Sequence, residues 1–280
     1  MRPTVIDGTR PPIDPDTASP LDVTMALNRR DTMAMVRRAV DSSNVLLAFQ
    51  PVVESGRTDR VAFYEGLIRL IDDAGRIIPA RDFIEAVETT ETGRKIDCLA
   101  LEMGLDCLAE EPSLRLSINM SARSIGYPDW LRTLRTGLER CPGAGERLIL
   151  EITESSAIVV PDLVRAFMRE QQRKGMSFAL DDFGSGYTSF RYLRELYFDI
   201  IKIDGQFIRG IAGSSDNQVL AQALVSVARH FDMFTVAESV ENLPDAQRLA
   251  EIGVDCMQGY YFGAPTIVPP WRPTEMRMMA

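Results

Sequence analysis

A (β/α)8 barrel is the fold class expected of this chain, and three features of the sequence point to it. Short apolar runs recur along the chain, each ending in a polar residue suited to coordination or proton transfer. Stretches long enough for helices, with apolar residues at roughly helical spacing, separate them. About eight strands in roughly 240 residues is the size of such a barrel. Side chains at the carboxyl ends of barrel strands converge on one mouth, so residues far apart in sequence are expected to meet there.

The elements follow in order. Residues 1 to about 20 carry Pro3, Pro11, Pro12, Pro15 and Pro20 with few large apolar groups, which predicts a flexible tail ahead of one domain over residues 21–280. Asp31 to Val40 resemble a short amphipathic helix, leading into a first strand over Leu46 to Val53. Val61 to Tyr64 then lead into Glu65, and Leu114 to Ile118 into Asn119. Leu148 to Leu150 lead into Glu151, with Glu154 one turn later. Phe178 to Leu180 end in two adjacent acids, Asp181 and Asp182, followed by Gly184 and Gly186. Ile200 and Ile201 lead into Lys202, with Asp204 beyond; Phe234 to Ala237 lead into Glu238, with Glu241 following; Val254 to Met257 lead into Gln258. Pro161 to Lys174 and Asn217 to Phe231 read as two of the intervening helices.

A carboxylate at the end of a buried strand costs several kcal/mol unless a cation or a donor meets it. With two side by side at Asp181 and Asp182, a divalent metal is the expected partner.

Composition narrows the function. At 280 residues with 45% hydrophobic content, one barrel with a full core uses almost the whole chain. No run approaches the roughly 18 apolar residues of a membrane span, and the N-terminus lacks the apolar core of a signal peptide, so a cytoplasmic location is expected. Cys98, Cys107, Cys141 and Cys256 show no paired metal-ligand spacing and suit reduced, inert thiols; His230 reads as a surface or packing residue. A formal net charge of -9 without a basic patch disfavours duplex nucleic acid, while a small phosphate ligand fits once metals occupy an acidic mouth.

In sequence order, Gln50-Pro51, Glu65-Gly66-Leu67 with Arg69, Ser117-Ile118-Asn119-Met120-Ser121 and Leu150-Glu151-Ile152-Thr153-Glu154 lead to Asp181-Asp182-Phe183-Gly184-Ser185-Gly186-Tyr187. Ile201-Lys202-Ile203-Asp204, Ala237-Glu238-Ser239-Val240-Glu241 and Gln258-Gly259-Tyr260-Tyr261-Phe262 complete the set. Over residues 25 to 268 this series resembles the EAL domain phosphodiesterases, which hydrolyse cyclic di-GMP to linear pGpG. The chain departs from the family pattern at Gly66, where the signature has alanine, and at Ser239, where glycine is usual. Glycine costs a strand about 0.5 to 1 kcal/mol relative to alanine, so Gly66 is expected to loosen the placement of Glu65. Ser239 implies an ordinary backbone or a small strain there.

The resemblance implies a modified barrel whose first strand runs antiparallel to the rest. It implies one metal on Glu65, Asn119, Glu151 and Asp181, with Asp181 bridging to a second held by Asp182 and Glu238. Oxygen-only donors favour magnesium or manganese over zinc, and such a pair activates a shared water for in-line attack at phosphorus. Glu65, Lys202 and Glu238 are then the expected catalytic residues, Lys202 holding the water or neutralising developing charge. Gln50, Arg69 and Gln258 are the expected substrate contacts, Gln258 also supporting the site together with Glu241, while Glu154 anchors the loop after Asp182. The family further implies a homodimer built from that loop and from the stretch Gly205 to Phe231. Control is expected from a separate regulatory protein, from dimerisation or from expression level. The competing function class is a non-catalytic cyclic di-GMP receptor or protein-interaction domain, reached in this family by loss of metal ligands that are all present here.

Overall fold

The computed structural model of the chain describes residues 20–184 and 190–271. The tail expected over residues 1–20 lies outside the described residues except for Pro20, as do Ser185, Gly186 and Tyr187 of the glycine loop. Helix α1 (Pro20–Asp41) runs well upstream of the expected Asp31. Proline is tolerated in a first helical turn, and no further glycine or proline interrupts the stretch before Asp41.

Strands β1 (Val45–Glu54) and β2 (Arg57–Ile71) form an antiparallel hairpin across Ser55 and Gly56. β2 is far longer than its apolar run suggested, because beyond Glu65 it continues as a ribbon against β1 and against the short antiparallel β3 (Ile77–Pro79). Then follow α2 (Ile84–Val87), α3 (Glu91–Glu110), β4 (Leu116–Asn119), α4 (Pro128–Arg140), β5 (Leu148–Thr153), α5 (Glu154–Ala157), α6 (Pro161–Gln172) and β6 (Ser177–Phe183). The chain completes the fold with α7 (Phe190–Glu195), β7 (Ile200–Ile203), α8 (Gly205–Ile208), α9 (Ser215–His230), β8 (Phe234–Ala237), α10 (Leu243–Ile252) and β9 (Cys256–Gln258).

Strands β2, β4, β5, β6, β7, β8 and β9 run parallel in that order, and β1 closes the ring by pairing antiparallel with both β2 and β9. The structure is therefore a TIM-like barrel in which β1 alone is reversed. Pro51, which has no N–H to give a ladder, sits just before the three-residue pairing of β1 with β9. Helices pack outside on the faces that strand alternation turns away from the axis, and strands such as β5 and β7 are buried on both faces.

Gly66 is one such outward position. A Cβ there would lie 2.7 Å from Ile118 Cδ1, and a Cβ on Gly104 of α3 would lie 2.9 Å from the same atom. Ile118, 1% exposed, thus fills the space of two missing side chains and lets α3 close on the sheet. Rather than loosening the placement of Glu65, Gly66 sits in a packed layer, in register with Phe49 on one side and Ile118 on the other.

The four cysteines are free. Burial pushes the thiols of Cys98 and Cys256 up to about 12 and about 11, which fits inert groups. His230 ends α9 against the ring of Phe231. No helix among the described residues is long and apolar enough to cross a membrane.

Candidate active site

The inside of the barrel is built in two layers, one pleat apart. The lower layer is apolar: Val52, Phe63, Ile149, Ala179, Ile200 and Val236 form one cluster, with Cys256 against it. Because strand side chains alternate with period two, the next inward residue on each parallel strand lies two positions further on. Phe63 is thus followed by Glu65, Ile149 by Glu151, Ala179 by Asp181, Ile200 by Lys202, Val236 by Glu238 and Cys256 by Gln258. On reversed β1 the rule also reverses, so Gln50 stands two positions before Val52, directly opposite Glu65 in the β1–β2 register. The polar residues expected at the mouth are therefore brought together as an upper layer on an apolar floor.

Lys202 is the hub of that layer. It is 1% exposed, and its Nζ lies 2.7 Å from Glu151 Oε2, 2.8 Å from Glu238 Oε1, 2.9 Å from Asp181 Oδ1 and 3.4 Å from Glu65 Oε2. Glu65 also accepts from Asn119 Nδ2 at 2.8 Å and from Gln258 Nε2 at 2.6 Å. Gln258 Nε2 further reaches Gln50 Oε1 at 3.2 Å, and Gln50 Nε2 donates to the Gly263 carbonyl at 3.1 Å.

Two adjacent strand residues face opposite sides of a sheet, so Asp182 should point away from the mouth. It does not. Its φ of 55° is left-handed, the β6–β7 register shifts between Leu180 and Phe183, and its carboxylate comes within 4.8 Å of those of Asp181 and Glu238. The turn continues through Gly184 (φ 95°), held from two sides. The Gly184 N–H donates to Glu154 Oε2 at 3.2 Å, and Gln206 Nε2 donates to the Gly184 carbonyl at 3.0 Å.

The electrostatics show a shortage of positive charge. Four acids, Glu65, Glu151, Asp181 and Glu238, share one buried cation, and Asp182 adds a fifth carboxylate beside Asp181 and Glu238. Burial together with the charge of Glu65 pushes Glu151 up to about 8, and burial with the charge of Asp181 pushes Asp182 to about 6. Burial also drives Glu238 well above the carboxylate range despite Lys202. Glu65 goes the other way, since Lys202, Gln258 and Asn119 outweigh its burial. Lys202 stays firmly charged, because the carboxylates around it outweigh its own burial.

The same residues fit a metal. Glu151 is fully buried, yet among the described residues its Oε1 has no hydrogen-bond partner, and neither has Gln258 Oε1. Among the described residues Asp181 Oδ1 lies 2.9 Å from Lys202 Nζ but takes no hydrogen bond. Orphaned carboxylate oxygens around a cluster of acids are what a hard divalent cation satisfies.

Above this layer opens a cavity of about 400 Å³. Gln50, Glu65, Lys202, Glu238, Glu241 and Gln258 are among its lining residues. Glu241 is at the rim and reaches Arg209 (3.8 Å) rather than Lys202. Arg69 is turned back, its Nη1 donating to the carbonyls of Ile68 at 3.0 Å and Leu67 at 3.4 Å, and it does not line the cavity. The guanidiniums that do are those of Arg81 and Arg209, with Ser239 and Tyr260 beside them. None of these four was singled out as a ligand contact from the sequence. Arg209 follows β7 on the carboxyl side, where barrel loops line the mouth, and that position is the signal that could have found it.

Comparison with known proteins agrees with the geometry. The chain is 31% identical over 248 residues to the cyclic di-GMP phosphodiesterase PdeB of Shewanella oneidensis, a match covering 87% of this chain and 29% of PdeB. The chain thus spans less than a third of that relative's length. Among solved structures it is similar to the PaMucR phosphodiesterase in complex with c-di-GMP, with a TM-score of 0.73 and 26% identity over 88% of this chain and 99% of that one. A calcium and cyclic di-GMP complex of Klebsiella pneumoniae BlrP1 is similar at a TM-score of 0.69 and 26% identity, over 80% of this chain and 56% of that one. A family model described as EAL domain matches residues 33–265, from within α1 to beyond β9. By that match, the chain belongs to the EAL domain family.

Proposed function

We propose that the chain is a metal-dependent phosphodiesterase that hydrolyses cyclic di-GMP to linear pGpG. The observation that carries this reading is the cluster of Asp181, Asp182 and Glu238 oxygens within 4.8 Å of one another, beside the orphaned oxygen of fully buried Glu151. The name of PdeB and the c-di-GMP complex of PaMucR support the substrate.

Glu65, Asn119, Glu151, Asp181, Asp182 and Glu238 would hold two magnesium or manganese ions. Bound there, such ions supply an acidic water and charge neutralisation at the phosphoryl group. The chain's own residues do the rest. Asn119 and Gln258 fix Glu65 by donating to its two oxygens. Lys202 keeps a positive charge beside Glu151, Asp181 and Glu238, ready to orient the attacking water or to stabilise charge growing on phosphoryl oxygens. The apolar floor keeps bulk water from below. In the reaction the water oxygen bonds to phosphorus as the bond to the ribose 3′ oxygen breaks, leaving a free 3′ hydroxyl and a 5′ phosphate.

The test is nucleotide chromatography after incubating the protein with cyclic di-GMP and magnesium, manganese or calcium. Magnesium and manganese should yield pGpG. Calcium, with its larger and looser shell, should support binding without turnover. Retention of unchanged cyclic di-GMP under every metal would make the chain a receptor instead.

A further inference from the structure

The cation at the heart of the site is already spent. Lys202 is 1% exposed and shared among four carboxylates, so it has no reach toward ligand groups elsewhere in the cavity. Arg81 and Arg209 both line the cavity, on elements far apart around the ring. Arg81 follows β3, which hangs on β2, and Arg209 follows β7, which is four steps from β2 around the ring through β4, β5 and β6.

Arg209 is held in place by an interlock. Its Nη2 donates to Ser239 Oγ at 3.0 Å, and its Nε lies 3.8 Å from Glu241. No hydrogen bond among the described residues uses its Nη1. Ser239 has φ 56°, a region that residues with a side chain seldom occupy. Its hydroxyl fits only because residue 205 is glycine: a Cβ on Gly205 would lie 2.5 Å from Ser239 Oγ and 3.2 Å from Arg209 Cζ. Glycine at 239 would carry no strain, so the serine sits against its own backbone preference, and the contact it gains is the one to Arg209. By contrast, the ion pair found for Arg81 among the described residues is to exposed Asp82, at 3.6 Å.

We propose that Arg209, anchored by Ser239, is a specificity-determining residue that binds the phosphodiester of the substrate lying away from the carboxylate centre. This rests on the reading of the site as a cyclic di-GMP hydrolase. A cyclic dinucleotide has two phosphodiesters, and the second enters a mouth whose other charged side chains are mostly acids. A guanidinium fork meets it with parallel hydrogen bonds to two oxygens.

Steady-state kinetics in manganese test this with two substrates, cyclic di-GMP and bis(p-nitrophenyl) phosphate, which has a single phosphodiester. Arg209→Gln should raise KM for cyclic di-GMP about tenfold with less than about a twofold change in kcat, and should change kcat/KM for the small substrate by less than about twofold. Ser239→Gly should raise KM for cyclic di-GMP about threefold while raising the melting temperature, so its loss cannot come from misfolding. An unmoved KM in Arg209→Gln, or an equal loss on both substrates, overturns the assignment. If the unaltered protein hydrolyses neither substrate, the hydrolase reading falls instead. Calorimetry with cyclic di-GMP in calcium then decides, with a tenfold weaker Kd expected for Arg209→Gln and an unchanged Kd overturning the proposal.

Discussion

Asp181 and Asp182 are consecutive on β6, yet both carboxylates face the same mouth, because Asp182 takes a left-handed backbone with φ 55°. That conformation costs an ordinary L-residue about 1 to 2 kcal/mol and is visited most readily by glycine, asparagine and aspartate. Asp182→Asn and Asp182→Ala remove the same charge but differ in their tolerance of this backbone. Asp182→Ala should therefore be about 1 kcal/mol less stable than Asp182→Asn in urea unfolding, and equal stabilities would show that residue 182 is not held left-handed.

Restoring the family's alanine at position 66 should harm this protein. The new Cβ would press on Ile118 Cδ1, which Gly104 of α3 confines from the other side. Overpacking of this kind costs about 1 to 3 kcal/mol. Gly66→Ala should destabilise by that order, and Ile118→Val, which removes the offending methyl, should recover about 1 kcal/mol or more in a double-mutant cycle. Additive effects would mean that the two positions do not share one space.

A buried acid outside the site sets a pH dependence of stability. Asp97 on α3 accepts from the Ser121 N–H at 2.9 Å and from Ser124 Oγ at 2.6 Å, and burial lifts its carboxyl to about 7. Between the ordinary value of 3.8 and about 7, the folded chain holds a proton that the unfolded chain releases, so stability falls as pH rises through that window and levels off above it. Each pH unit is worth at most about 1.4 kcal/mol. Urea unfolding with a chelator present should show Asp97→Asn gaining about 2 kcal/mol relative to the unaltered protein between pH 5 and pH 8. A constant difference across that range would place the Asp97 carboxyl at an ordinary value.

Much of this was legible in the sequence, for a physical reason. A short buried strand ending in a charged residue writes both its burial and its function within a few positions, as Ile149 and Glu151 or Ile200 and Lys202 do. The continuation of β2 past Glu65 was not legible, because its pairing with β1 and β3 depends on partners elsewhere in the chain. Asp182 was placed at the mouth from the sequence, but the left-handed turn that brings it there was not legible, since alternation alone sends it outward. Arg81 escaped notice because nothing local marks it as facing a cavity, and Arg209 because its one signal is its place after β7, while Arg69, which the family resemblance marks, folds back onto its own strand.

The central claim is that Glu151 and Lys202, 2.7 Å apart, do different work: Glu151 holds metal, and Lys202 serves the transition state. Single-turnover hydrolysis of cyclic di-GMP by Glu151→Ala and Lys202→Ala across a manganese titration tests it most directly. Glu151→Ala should lose activity at low manganese and recover part of it at high manganese. Lys202→Ala should remain about a hundredfold to thousandfold slow at every concentration, with substrate affinity changed far less, because removing a cation from among carboxylates strengthens metal binding without replacing the lost contact. Rescue of Lys202→Ala by excess manganese, or a defect lying wholly in substrate binding, would contradict this division of roles.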